Sequence, residues 1–246
     1  MVTVVYDDYD EEVTDASFEI LKEFLKETER IGIKPIIIGG WAVEAYKKSK
    51  GSKDIDIVVN SSDIDKLLST SFFKDEENQF DEVNQGWPLR HEKEINVNGK
   101  NKIVICDVFN SDVERQDYEH VGVKFHWNLI PQFQEERKIR DQLMLVPKIE
   151  LLIITKVIAA LDRRRKLDRT GSEELKSKIW KDYYDIAVLI KVNQVMDDDF
   201  MKEYIEKTKL GPHMRKFMAM YDEPEYQEFL PEIGITISEI ESALSK

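Results

Sequence analysis

An apolar run, Pro35-Ile36-Ile37-Ile38, ends on Gly39-Gly40, and a second short run opens with Asp54-Ile55-Asp56. Few folds accommodate that pairing. A short β-branched run of the first kind suits a strand buried on both faces, and paired glycines after it turn the backbone into a helix over Trp41 to about Lys48. Residues 47–53, with Ser49, Gly51 and Ser52, read as a loop into a second strand over Ile55 to Val59. Side chains alternate along a strand, so Asp54 and Asp56 share one side while Ile55 and Ile57 turn to the core. Two carboxylates that close repel unless a cation or a proton comes between them. Magnesium (Mg2+) is the natural cation, because it takes hard oxygen ligands and keeps positions for water and phosphate oxygens. Asp107 offers a third carboxylate if a neighbouring strand brings it alongside. Such a triad would hold metal ions and orient an acceptor hydroxyl toward a nucleoside triphosphate. Gly39-Gly40 is neither the Walker pattern nor the dinucleotide fingerprint, which removes the two commonest phosphate loops.

The rest of the first half is ordinary α/β material. Thr14 or Asp15 caps a predicted helix running to about Arg30, with Phe18, Leu21 and Phe24 as its core stripe and Gly32 as its stop. Ser62 and Asp65 fit a capping box for a helix to about Leu68. Glu94 to Val97, the Asn98-Gly99 turn and Lys102 to Phe109 form a predicted hairpin, with Asp107 at the end of its second strand. Lys124 to Leu129 is a further candidate strand, while Phe72 to Glu82 and Phe133 to Gln142 carry no clear period. Texture changes near Pro147, which is pre-set for the first turn of an apolar helix over Lys148 to Leu161. Predicted helices follow at about Leu175 to Lys191, Phe200 to Lys207 and Ile237 to Leu244. The division expected is an α/β part over residues 1–143 and a helical part over residues 144–246.

Composition excludes several classes. A net charge of -13, from 49 acidic and 36 basic residues, opposes general affinity for bare nucleic acid, since that affinity needs phosphate neutralised by Lys and Arg. Cys106 is the one cysteine, so neither an internal disulfide nor a multi-cysteine zinc site is available, and it reads as a buried strand residue. The four histidines, His91, His120, His126 and His213, have no zinc spacing. No run has the length and apolarity of a membrane span, and the N-terminus is acidic where a signal peptide is basic, so a cytoplasmic protein with no membrane partner is expected. No oligomeric state follows from the sequence.

In the helical half, Lys156 interrupts the series Ile149, Leu152, Ile153, Val157, Ala160 and Leu161, with Arg163 further along the same face. Asp182 and Asp185 share a face of the next helix. One reading is an ion-pair network, Lys156 and Arg163 against Asp182 and Asp185. The other turns this face toward a nucleotide. Trp87 to His91 reads as loop or strand edge, or as a loop that lets Arg90 reach a phosphate, and Tyr183-Tyr184 reads as packing between helices.

With these residues in place, Gly39-Gly40-Trp41-Ala42, Lys53-Asp54-Ile55-Asp56-Ile57 and Cys106-Asp107-Val108 together resemble the nucleotidyltransferase superfamily typified by DNA polymerase beta. The resemblance is closer to its small antibiotic- and toxin-related branches, the lincosamide and aminoglycoside nucleotidyltransferases and the AbiEii-type toxins. It implies a small mixed sheet flanked by helices and followed by a helical domain. It also implies transfer of a nucleoside monophosphate from ATP or another nucleoside triphosphate to a hydroxyl of an unidentified acceptor, a small molecule, RNA or protein, with release of pyrophosphate. Gly39, Gly40 and Lys53 would then meet the nucleotide, and Asp54, Asp56 and Asp107 would bind metal, with Asp107 helping to activate the acceptor. The segments Pro147 to Arg163 and Lys181 to Ile186 resemble the paired helical motifs of the AbiEii-type members. That likeness implies a phosphate contact at Lys156, with Arg163 and Asp182 completing the site, and an antitoxin as a possible partner. Thr155 departs from the acidic residue often found before that lysine, and residues 195–246 carry no resemblance.

Overall fold

The first helix, α1 (Glu11–Arg30), buries Phe18, Leu21 and Phe24 as its spacing requires. It starts at Glu11, so Thr14 and Asp15 lie inside it instead of capping it, and Asp15 pairs with Arg140 at 2.7 Å. It stops where expected. Gly32 takes φ +76°. The Ile33 amide donates back to the Thr28 carbonyl at 2.8 Å. This is a Schellman closure, which satisfies an orphaned carbonyl. The computed structural model describes residues 11–48, 51–70, 72–73, 88–113, 116–118, 122–193 and 196–244. Trp87, His120 and most of Phe72 to Glu82 lie outside the described residues.

The following elements are β1 (Ile36–Ile38), α2 (Gly39–Tyr46), β2 (Ile55–Val59), α3 (Ser61–Leu68), β3 (Leu89–Val97), β4 (Lys100–Asn110), β5 (Gln116–Tyr118), β6 (Val123–Phe125), α4 (Leu129–Gln132), β7 (Gln134–Ile139) and β8 (Gln142–Pro147). Six strands make one mixed sheet in the order β3-β4-β2-β1-β8-β7, with β2 and β4 parallel, β1 and β8 parallel, and the other neighbours antiparallel. Strands β5 and β6 form a small separate pair. Trp41 of α2 is fully buried, lies 5.2 Å from the Phe18 ring and donates to Ser17 Oγ at 3.4 Å, so α1 and α2 share one core. Described residues within 9–116 and 126–148 form one compact unit.

Several local expectations change. Asn60, and not Ser62, caps α3: its side chain accepts from the Asp63 amide at 2.9 Å, and Ser62 instead donates to Asn60 at 2.7 Å. The Asn98-Gly99 hairpin is present but longer at both ends, and β4 runs past Asp107 to Asn110. Lys124 to Leu129 is not one strand; β6 ends at Phe125 and Leu129 opens α4. Phe133 to Gln142 supplies β7 and the turn of a second hairpin, which passes through Arg140 at φ +54° and continues into β8. Pro147 closes β8 instead of opening a helix, and its carbonyl accepts from the Tyr46 hydroxyl at 2.7 Å.

The second unit holds residues 149–246 together with residues around 117–125. Its described helices are α5 (Ile149–Thr170), α6 (Glu173–Val192), α7 (Asp198–Thr208), α8 (Gly211–Ala219), a 3-10 turn (Met220–Asp222), α9 (Pro224–Gln227), α10 (Leu230–Ile233) and α11 (Ile237–Leu244). The charged stretch after Leu161 stays helical, with Lys166 paired to Asp162 at 2.7 Å and Arg164 to Asp168 at 3.4 Å. Each pair is one turn apart, the spacing at which side chains meet on a helix surface. Three short helices between Gly211 and Ile233 have proline in the first turn, where its missing amide hydrogen costs nothing. Tyr183 stacks on Phe217 at 4.5 Å and donates to its carbonyl at 3.0 Å, and Tyr184 meets the Phe229 ring edge-on at 5.5 Å, so both tyrosines pack α6 against later segments. No described helix is long and apolar enough to cross a membrane.

The cap assignment is testable. Asn60→Ala should lower unfolding free energy by about 1 kcal/mol in urea titrations, whereas Ser62→Ala should stay within about 0.5 kcal/mol.

Candidate functional site

A single row of residues crosses four strands. Arg90 of β3 pairs in register with Asp107 of β4, Asp107 with Asp56 of β2, and Asp56 with Ile38 of β1. Neighbouring strands lie about 4.8 Å apart, and residues in register on adjacent strands point to the same face of a sheet. The expected meeting of Asp56 and Asp107 is therefore built into the parallel pairing of β2 with β4. Asp54 lies in the bend before β2, half-buried, with Lys53 beside it in sequence. Its carbonyl accepts from Ser52 Oγ at 2.8 Å.

Asp56 marks the edge of the covered sheet. Ile55 and Ile57 are fully buried, and so is Val58, which lies on the same side as Asp56, so β2 is buried on both faces except at this end. Across from it, Ile38 leads into Gly39 at φ +66°, a left-handed conformation that glycine adopts freely. A Cβ on Gly39 would stand 2.2 Å from Asp56 Oδ2. The carboxylate is thus packed directly against the glycine backbone. Gly40 is buried inside α2 and has no positive φ, so the two glycines differ in kind: the first is needed for both conformation and space.

Like charges directly opposite on adjacent strands are unfavourable. Here a guanidinium offsets part of that cost. Arg90 Nε and Nη2 donate to the two oxygens of Asp107, each at 2.8 Å. This bidentate fork is the strong form of a guanidinium–carboxylate contact. Those hydrogen bonds raise the Arg90 pKa against a lesser opposing effect of burial, and the charges of Asp107, Glu92 and Asp54 raise it further. Asp54 therefore lies in the field of the same guanidinium. Burial, then the nearby charges of Asp107 and Asp56, push the Cys106 thiol well above its ordinary pKa, which leaves it a neutral core residue. The sequence reading placed Arg90 as a candidate phosphate contact and missed its partner.

The donor set suits magnesium in kind: hard carboxylate oxygens from adjacent strands. Among the described residues, no three His, Cys, Asp or Glu side chains stand grouped to hold a metal ion. Both oxygens of Asp107 are given to Arg90.

Lys156, Arg163 and Asp182 belong to the helical unit, where they form a group of their own. Lys156 Nζ lies 2.8 Å from Asp185 Oδ2 and 3.3 Å from Asp182 Oδ1, Arg163 pairs with Asp182, and Lys181 reaches Asp185 at 2.8 Å. The ion-pair reading describes this geometry, with Lys181 as a member the sequence reading had not included. Burial opposes the Lys156 charge, but Asp185 and Asp182 outweigh it and raise its pKa. Burial prevails at Lys181 and lowers it, although Asp185 opposes. Asp185 would be pushed up by burial, yet Lys156 and Lys181 hold its carboxyl at about 2. A groove of about 620 Å³ in the same unit, lined in part by Ile205, Met214, Met218 and Leu244, contains none of the sequence-predicted site residues.

No protein-family model matches the chain, and no curated protein matches it in sequence. Among solved structures, the crystal structure of an antigenic nucleotidyltransferase-like protein from Paracoccidioides brasiliensis is similar at 16% identity and a TM-score of 0.38, covering 74% of this chain and 76% of that one. A likeness of that degree decides nothing about chemistry, which has to come from the row of side chains.

Gly39→Ala should destabilise the fold by at least about 1–2 kcal/mol in urea unfolding, from the left-handed backbone alone, with a further cost for displacing Asp56. Adding Asp56→Gly should recover the second part and leave the first. In the helical unit, Asp185→Asn should cost about 3–5 kcal/mol, because it weakens the buried pairing of two lysines. The Asp185 carboxyl lies at about 2 in the fold against an ordinary 3.8, so its contribution is complete above pH 3.8 and is lost as pH falls through 2. Acid titrations of stability should accordingly fall more steeply in that window for the wild type than for Asp185→Asn.

Proposed function

We propose that the chain is a magnesium-dependent nucleotidyltransferase whose site is the Asp54, Asp56 and Asp107 end of the sheet. The observation that carries this reading is the parallel register of Asp56 with Asp107 beside a glycine that leaves no room for a side chain. Asp54, Asp56 and Asp107 would hold magnesium, which when bound supplies positive charge to a triphosphate and to the leaving group. The first amides of α2, which begins at Gly39 and Gly40, would favour the negative charge of a phosphate. Lys53, next to Asp54 in the chain, would add a cation to the same end of the sheet. An acceptor hydroxyl oxygen attacks the α-phosphorus, the bond to the bridging oxygen breaks, and pyrophosphate leaves with that electron pair. The hydroxyl proton passes to a carboxylate oxygen of Asp107. In this reading Lys156, Arg163 and Asp182 join α5 to α6.

A second reading, a nucleotide-binding or regulatory member without transfer, is favoured by one observation: Arg90 holds both oxygens of the carboxylate that would take the proton. Such a member could serve within a toxin-antitoxin system, with an antitoxin as its partner.

Pyrophosphate release from each of the four ribonucleoside triphosphates with magnesium, offered an aminoglycoside, total RNA and the protein itself as acceptors, separates the two. The first reading expects release that falls about a hundredfold or more in Asp56→Asn with the fold intact by circular dichroism. Metal-dependent nucleotide binding with no release in any combination supports the second. No metal-dependent binding of any nucleotide rejects both.

A further inference from the structure

We propose that Arg90 is an exchanging counter-ion: it neutralises Asp107 while the site is without metal, and passes to the triphosphate when a divalent cation takes Asp107. The inference rests on the nucleotidyltransferase reading above and adds a binding residue to it.

Three features of the pair support exchange over a fixed structural contact. The first is its asymmetric exposure. The Arg90 side chain is 49% exposed, whereas that of Asp107 is 14% exposed, so the carboxylate is anchored and the guanidinium lies at the rim. A guanidinium half in water can leave the carboxylate by side-chain rotation and be rehydrated as it goes. The second is its place in the sheet. β3 is an edge strand among the described residues, and the β4 ladder holds its backbone, so Arg90 stays in register whatever its side chain does. The third is chemistry. A guanidinium fork fits phosphate oxygens as well as it fits a carboxylate.

Electrostatics gives the exchange a direction. Arg90 contacts Asp107 and feels the charges of Glu92 and Asp54, so it compensates a locally acidic edge. A divalent cation held by Asp56 and Asp107 would remove the acceptors of the fork and set a like charge beside it. A triphosphate arriving with that cation supplies new acceptors. Metal alone must break the pair without compensation, whereas metal with nucleotide does not. The pair therefore acts against premature metal loading and in favour of joint binding.

Titration calorimetry of the intact protein with Mn2+ alone, and with a non-hydrolysable ATP analogue in Mg2+, tests this without any turnover. Arg90→Gln removes the competing charge, so Mn2+ alone should bind about tenfold tighter, while the analogue should bind about tenfold weaker. Arg90→Lys keeps the charge without the fork and should fall between wild type and Arg90→Gln on both measures. Opposite signs in the two titrations are the signature, since a structural pair would leave both constants unmoved or weaken both together. Wild-type binding of analogue with an Arg90→Gln metal constant that is unchanged or weaker overturns the exchange and leaves the nucleotidyltransferase reading standing. Failure of the wild type to bind any of the four triphosphates with Mg2+ overturns both. Melting curves by circular dichroism, with Asp107→Asn as a second variant, confirm that the compared proteins are folded. Asp107→Asn should reduce binding of Mn2+ alone and remove the tightening produced by Arg90→Gln.

Discussion

The pairing of β2 with β1 on one side and β4 on the other is the constraint from which the rest of this molecule follows. β2 is antiparallel to a strand that ends in glycine and parallel to a strand that carries an aspartate in its middle. Ile55, Ile57 and Val58 are fully buried, so the strand cannot change its facing without exposing core. Burial of these apolar side chains, each worth about 1.5–3 kcal/mol, far exceeds the cost of two register-adjacent carboxylates. Hydrophobic packing thus holds the acidic pair in place, and Arg90 offsets part of the repulsion.

Much of this arrangement was legible in the chain. The isoleucine run, the diglycine turn and the alternation Asp54-Ile55-Asp56 placed β1, α2 and β2, because composition and period agreed there. The Asn98-Gly99 turn places the hairpin and also fixes its register. Counting outward from a two-residue turn pairs Arg90 with Asp107, so the ion pair follows from a motif already recognised. What was missed has physical reasons. The β7–β8 hairpin turns at Arg140, a residue whose side chain makes a left-handed φ uncommon, and β7 is a charged edge strand, Gln134–Ile139, with no alternation. The short helices after Gly211 are too brief to show a period, and their prolines were the available sign. Pro147 fits either a first helical turn or a strand end, and only the hydroxyl of Tyr46 and the pairing to Gln134 show which.

The helical unit shows how the same residue types serve a different purpose. Lys156, Lys181, Asp182 and Asp185 are almost entirely removed from solvent. Groups so buried gain little from water and depend on one another's geometry, so removing one member costs more than the pair contributes. At the sheet end, by contrast, the cation of the Arg90–Asp107 pair is half in water. Depth of burial separates a lasting joint from a contact that can be traded.

The β3–β4 ribbon gives that contact an unexpected dependence. Arg90 reaches Asp107 because Asn98 and Gly99 both adopt positive φ and close the loop in two residues. If one residue inserted at this distant bend were absorbed by the ladder and not by a wider loop, with β4 kept in the sheet, β3 would shift along its partner and invert which of its side chains lie above the sheet and which below. Asp107 would then face an imidazole or an aliphatic chain, His91 or Leu89, in place of a permanent positive charge. The length of a surface loop is thereby tied to the electrical balance among the acidic side chains.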